Sequence, residues 1–175
     1  MAVQPAYELR RVELDAAEQL SQLGAKSFQQ AYADTHSTEH LAAYCGKHYS
    51  VEKIQSILGS KRAAYCVAYR EADPVGFYVL LNQSSPAGFP KLTCELKQIY
   101  VLASEYGCGL GQLLYWDAIA SAAEFGVDTI WLCVSTINYR AQAFYRKLGF
   151  VELGAGPLLE VGRENLCSRI LSVRI

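Results

Sequence analysis

Two stretches of this 175-residue chain carry residue types at spacings that suit binding or catalysis. The first is Tyr106-Gly107-Cys108-Gly109-Leu110-Gly111-Gln112, between a predicted strand and a predicted helix. A glycine turn there leaves backbone N–H groups unpaired at the positive end of a helix. The missing side chains let a ligand approach the backbone, so a phosphate or pyrophosphate is the natural occupant. Tight turns also collect glycines for purely conformational reasons, and that reading stands beside the first. Neither G-x-x-x-x-G-K-[ST] nor G-x-G-x-x-G is present, which argues against ATP and NAD. A different phosphate ligand is required.

The second stretch runs from Asn138 to Phe150 as Asn-Tyr-Arg-Ala-Gln-Ala-Phe-Tyr-Arg-Lys-Leu-Gly-Phe. Ala141, Phe144, Tyr145 and Leu148 form an apolar helical stripe, closed by Gly149 where a left-handed residue is usual. Packing alone asks for neither the Asn at the start nor the Phe-Tyr pair. With the glycine loop upstream, the chain resembles the GNAT superfamily of acetyl-CoA-dependent N-acetyltransferases. Asn138 to Phe150 match that family's N-x-x-A-x-x-F-Y-x-x-L-G-F motif at each defined position, and Gly109 and Gly111 match the end of its [RQ]-x-x-G-x-G/A motif. Ser27-Phe28, the Tyr44 region and Ser50-Val51-Glu52-Lys53 resemble the PaiA-type, polyamine-acetylating branch. Two positions depart from the pattern. Tyr106 stands where Arg or Gln is usual, and Asn165 where that branch has an acidic residue in its last strand.

The resemblance implies acetyl-CoA as cosubstrate, no metal, and direct transfer of an acetyl group to a primary amine (a small amine, a polyamine or a peptide amine) in a ternary complex. It implies that Gly107, Cys108, Gly109, Leu110, Gly111 and Gln112 take the pyrophosphate through their N–H groups. Ile99, Tyr100 and Val101 would pair with the pantetheine amides, and an N–H in that stretch would meet the oxyanion. Asn138 would bond the arm, and Arg140 and Lys147 would reach phosphate; a solvated helix face is the competing reading for both. Tyr145 corresponds to the general acid. Glu95, eleven residues before Tyr106, corresponds to a general base, with a surface-strand glutamate as the alternative. A non-catalytic acyl-CoA-binding module is the competing function, suggested by Tyr106.

These residues need elements to hold them. Strands are predicted at about 7–12, 63–70, 75–82, 91–101, 129–134, 150–154 and 166–174, with a loop over 83–90. Helices are predicted from the Asp15-x-x-Glu18 capping box to Ala31, from Ser50 as N-cap to Gly59, from Leu110 to Phe125, and from Asn138 to Leu148. A further short helix is placed around 37–46. Leaving the short helix aside, the order β-α-α-β-β-β-α-β-α-β-β describes one α/β (α+β) domain over 1–175. The resemblance makes its sheet mixed and mostly antiparallel, flanked by helices and splayed between the fourth and fifth strands. Phe28, Tyr32, Tyr44 and Tyr49, with Asp34 and Glu39, either receive a cationic amine or pack two helices on the sheet; packing is favoured.

Composition sets the outer limits. Sixteen Lys and Arg against 17 Asp and Glu give a net charge of −1, and 51% of residues are hydrophobic. That excludes a disordered chain and a broad basic surface for nucleic acid. No apolar run reaches the roughly 18 residues of a membrane span, and the N-terminus does not read as a signal peptide. Six scattered cysteines without a C-x-x-C pair read as thiols of a cytoplasmic protein. His36, His40 and His48 read as a solvated or substrate-facing group rather than a zinc site. The partner is a small-molecule amine, with a homodimer left open.

Overall fold

A computed structural model describes residues 6–82, 85–86, 93–162 and 164–175. The elements run β1 (Tyr7–Arg11), α1 (Ala17–Tyr32), α2 (Thr38–His48), α3 (Val51–Leu58), β2 (Ala63–Arg70), β3 (Asp73–Asn82), β4 (Thr93–Val101), α4 (Leu110–Glu124), β5 (Thr129–Ser135), α5 (Tyr139–Lys147), β6 (Val151–Ala155), β7 (Leu159–Val161), β8 (Glu164–Leu166) and β9 (Ser168–Arg174). The strand start expected at Lys91 and most of the 83–90 loop lie outside the described residues.

The main sheet has the order β1-β2-β3-β4-β5-β9-β6, and only β4 and β5 run parallel. Strand alternation builds two cores, one on each face. Cys66, Ala68, Tyr78 and Leu80 face α4 and α5, while Tyr65, Val67, Phe77 and Val79 face α1 to α3. Burial on both faces explains why these central strands read as nearly continuous apolar runs.

The sheet opens between β4 and β5. Pairing there covers only Thr93–Glu95 against Thr129–Trp131, whereas β4 stays paired to β3 as far as Val101. The split starts beside a β-bulge. The register passes from Leu80↔Leu96 to Val79↔Gln98, leaving Lys97 as the extra residue. A bulge bends and over-twists its strand, so it turns β4 away from β5 where their ladder ends.

Some boundaries differ from expectation. Asp15 lies in a 3₁₀ turn, and α1 begins after Ala16 with no side-chain cap, so the capping box does not form. Helix α3 does start as expected, with Ser50 Oγ accepting from the Lys53 N–H. The last strand is interrupted at Cys167, and a short β7–β8 hairpin precedes it. Asn165 sits in that hairpin, not in the final strand. Among the described residues, no helix is long and apolar enough to cross a membrane.

Candidate active site

The split holds two cavities that share wall residues. One, of about 470 Å³, lies between the exposed edge of β4, the glycine loop and α5. Its walls include Ile99, Tyr100 and Val101, then Gly107, Gly109, Gly111 and Gln112, then Asn138, Arg140, Tyr145 and Lys147. The structure thus brings twelve of the fourteen sequence-derived site residues to the sheet opening, since Glu95 lies on the second cavity. Cys108 and Leu110 are outside both walls. The Cys108 N–H bonds the Glu105 carbonyl at 3.2 Å, and the Leu110 side chain is fully buried in the core.

The glycines have a conformational reason. Gly107 and Gly109 have φ of +78° and +83°, and a Cβ at either would meet nothing within 4 Å. Backbone conformation, not crowding, selects glycine at both positions. Gly109 is the N-cap of α4 without a side-chain cap, so the first N–H groups of that helix remain for a ligand.

The loop is anchored from below by a residue that sequence reasoning missed. Glu105 is 1% exposed, and its carboxylate takes the Arg70 guanidinium at 3.0 Å, the Tyr7 hydroxyl at 2.7 Å and the Ser104 hydroxyl at 2.9 Å. Burial, then the Glu105 hydrogen bond, raise the Tyr7 phenol well above its ordinary value, so Tyr7 remains a donor. Gln30 Oε1 accepts the Ala103 N–H at 2.8 Å and ties α1 to the same segment. These partners lie far apart in the chain, which left no local signal.

Tyr106, where a cationic or amide side chain is usual in the resemblance, carries the Arg140 guanidinium 3.5 Å above its ring centroid. The cation from α5 is thereby held at the loop. The Tyr106 hydroxyl is buried with no hydrogen-bond partner among the described residues. An unpaired strand edge, a free helix N-terminus, a stacked guanidinium and an unmatched phenol on one wall fit a ligand combining amides with phosphates.

Asn138 has a second duty. Its Oδ1 accepts the Ala141 N–H at 3.1 Å as the cap of α5, and its Nδ2 donates to the Tyr32 hydroxyl at 3.3 Å. The helix therefore does use an Asn at its start for local structure, contrary to expectation. Gln142 Nε2 donates to the carbonyls of Ser135 at 3.1 Å and Thr136 at 2.9 Å, fixing α5 to the end of β5.

The second cavity, of about 370 Å³, lies between β4, β5, the helices of the first half and the β7–β8 hairpin. It shares Ile99, Tyr100, Asn138, Ala141 and Tyr145 with the first. Burial, then the nearby Tyr32, push the Tyr145 phenol far above its ordinary value, so it holds its proton. Glu95, 7% exposed, lines this second cavity with Lys97 Nζ 3.3 Å from its Oε1.

Of the first-half aromatics, Phe28, Tyr32 and Tyr44 line the cavity, whereas Tyr49 is 2% exposed and packs over Gly24, where a Cβ would lie 2.3 Å from its ring. Asp34 and Glu39 are exposed and outside both walls. The three histidines do not form one solvated group. His36 is buried with Nδ1 3.3 Å from Glu164, His40 packs at Gly162, and His48 lines the second cavity. Among the described residues no three His, Cys, Asp or Glu are grouped to hold a metal.

Comparison with known proteins adds independent findings. The profile of the acetyltransferase (GNAT) family matches residues 18–150. A Mycobacterium tuberculosis protein named as an uncharacterised N-acetyltransferase is 29% identical over 77% of this chain and 82% of its own length. A GCN5-related N-acetyltransferase structure from Rhodopseudomonas palustris superposes with a TM-score of 0.79 at 19% identity, covering 100% of this chain and 99% of that one. The PaiA N-acetyltransferase of Thermoplasma acidophilum, solved with coenzyme A, gives 0.76 at 18% identity, covering 97% and 99%.

Proposed function

The chain belongs to the acetyltransferase (GNAT) family, and from that premise we propose that it transfers an acetyl group from acetyl-CoA directly to a primary amine bound at the same time. The observation that carries this reading is that two cavities at the β4–β5 split share one wall, with Tyr145 in it. One domain spanning residues 1–175 would perform the whole reaction, and the free thiols suit a reducing, cytoplasmic setting.

Acetyl-CoA supplies the activated acyl thioester. The N–H groups of the loop and first turn of α4, at Gly109, Gly111 and Gln112, would hold its pyrophosphate. Arg140, steadied on Tyr106, and Lys147 would add charge there. The unpaired edge at Ile99, Tyr100 and Val101 would receive the amide arm as another strand, and one of its N–H groups would stabilise the oxyanion. Tyr145 keeps its proton on the hydroxyl, available to a departing thiolate. Glu95 takes a proton from the incoming ammonium, whose free pKa is about 10.

Thiol release from acetyl-CoA across a panel of primary amines tests the reading. Amine-dependent release with formation of the N-acetyl product is the expected result. Tight acetyl-CoA binding without release on any amine would favour a non-catalytic acyl-CoA module.

A further inference from the structure

The charges in the second cavity do not suit a polyamine. Its carboxylates are Glu95 and Glu160, and each already has an ammonium partner, Lys97 at 3.3 Å and Lys47 at 3.5 Å. Lys53 of α3 lines the same cavity, and among the described residues no carboxylate lies within 4 Å of its ammonium. His48 sits among these cations with its ring stacked on Tyr44 at 4.2 Å. Burial, then Lys47, Lys53 and Lys97, lower its proton affinity, with Glu160 opposing them. A separate observation comes from β2. Tyr65 is 2% exposed, lines the cavity, and its hydroxyl has no hydrogen-bond partner among the described residues. An unmatched buried hydroxyl is costly unless a ligand satisfies it. Burial also pushes the Tyr65 phenol well above its ordinary range, so it keeps its proton and can donate a hydrogen bond.

Given that this cavity receives the acceptor amine, as proposed above, we infer that the acceptor carries a second, anionic group, a carboxylate or phosphate, which is received by Lys53, Tyr65 and the His48 side of the cavity. An anion balances the Lys53 ammonium and supplies the acceptor that Tyr65 lacks, whereas a second ammonium does neither. The amine end then points to the junction beside Tyr145 and Glu95.

The test compares matched amines with the full chain and acetyl-CoA. One set is 4-aminobutyrate, 3-aminopropylphosphonate and 1,4-diaminobutane; the other is L-amino acids beside their methyl esters. The anionic member of each set should be favoured about tenfold in kcat/KM, through KM, as expected for a charge-assisted hydrogen bond. The carboxylate and phosphonate arms identify the anion. Lys53 meets the rest of α3 through its backbone N–H, so Lys53→Gln should fold and erase most of the preference while leaving the KM for acetyl-CoA in place. Lys53→Glu should reverse it. Equal use of acid and ester, or fastest turnover with the diamine, overturns the inference and leaves acetyl transfer standing. Calorimetry of the N-acetylated acids and esters on the CoA-loaded protein separates the remaining outcomes. Acid-specific binding abolished by Lys53→Gln, without turnover of any amine, supports the anion site and overturns acetyl transfer. Neither binding nor turnover overturns both.

Discussion

Tyr145 touches Phe144 and Phe150 through its ring, with centroids 5.4 and 5.3 Å apart, and faces both cavities through its wall position. Tyr145→Phe keeps those ring contacts and removes only the proton. It should lower kcat about a hundredfold, the lower part of the range for general acids, with acetyl-CoA affinity unchanged. An unaltered kcat would remove Tyr145 from the chemistry. Because burial raises this phenol, the protonated form persists as pH rises, and the wild-type rate should show no loss from its ionisation below about pH 10. Glu95→Gln should move activity to higher pH, since solvent alone must then deprotonate an amine of pKa about 10. A stationary profile would show that Glu95 is not the base. Both candidates were legible because they fall at fixed distances from motifs. Glu105 was not, because Arg70 and Tyr7, its partners at 3.0 and 2.7 Å, come from strands far upstream.

At the scale of elements, the glycine loop makes a separable prediction. Gly109 and Gly126 have φ of +83° and +72°, and neither would bring a Cβ within 4 Å of another group. Alanine at either position should therefore cost about 1–2 kcal/mol through backbone conformation alone. Thermal melts should fall by similar amounts for Gly109→Ala and Gly126→Ala, while only Gly109→Ala weakens acetyl-CoA binding in calorimetry. A loss of affinity in both would mean that global destabilisation, not the loop, controls the cofactor site. Periodicity located these helices and most strands because the apolar stripes of α4 and α5 and the alternation of β2 and β3 are local patterns. It could not place the start of α1, where the Asp15 box is sound locally but the chain enters through a 3₁₀ turn. Nor could it find the bulge at Lys97, which exists only relative to the register of β3.

For the whole molecule, cofactor binding should be visible as stability. Acetyl-CoA at about 100 times its Kd adds roughly 2.7 kcal/mol, which raises the melting temperature of a domain this size by about 5–10 °C. No shift at millimolar acetyl-CoA would contradict the cofactor site and everything built on it. The net charge of −1 said nothing useful about this ligand, because neutral N–H groups and one stacked guanidinium can hold phosphates. It was silent about the acceptor for the same reason: charge acts through position. By itself the sequence determined the family resemblance and the residues proposed for the cofactor and the chemistry, since contiguous motifs encode a turn, a helix start and the residues on one helical face. Tertiary structure alone decided where the sheet opens, what anchors the loop, and which charges share the second cavity. Lys53, Tyr65, Glu95 and Glu160 come from four elements, and only the packing of α3 and the β7–β8 hairpin against the split sheet brings them around one space.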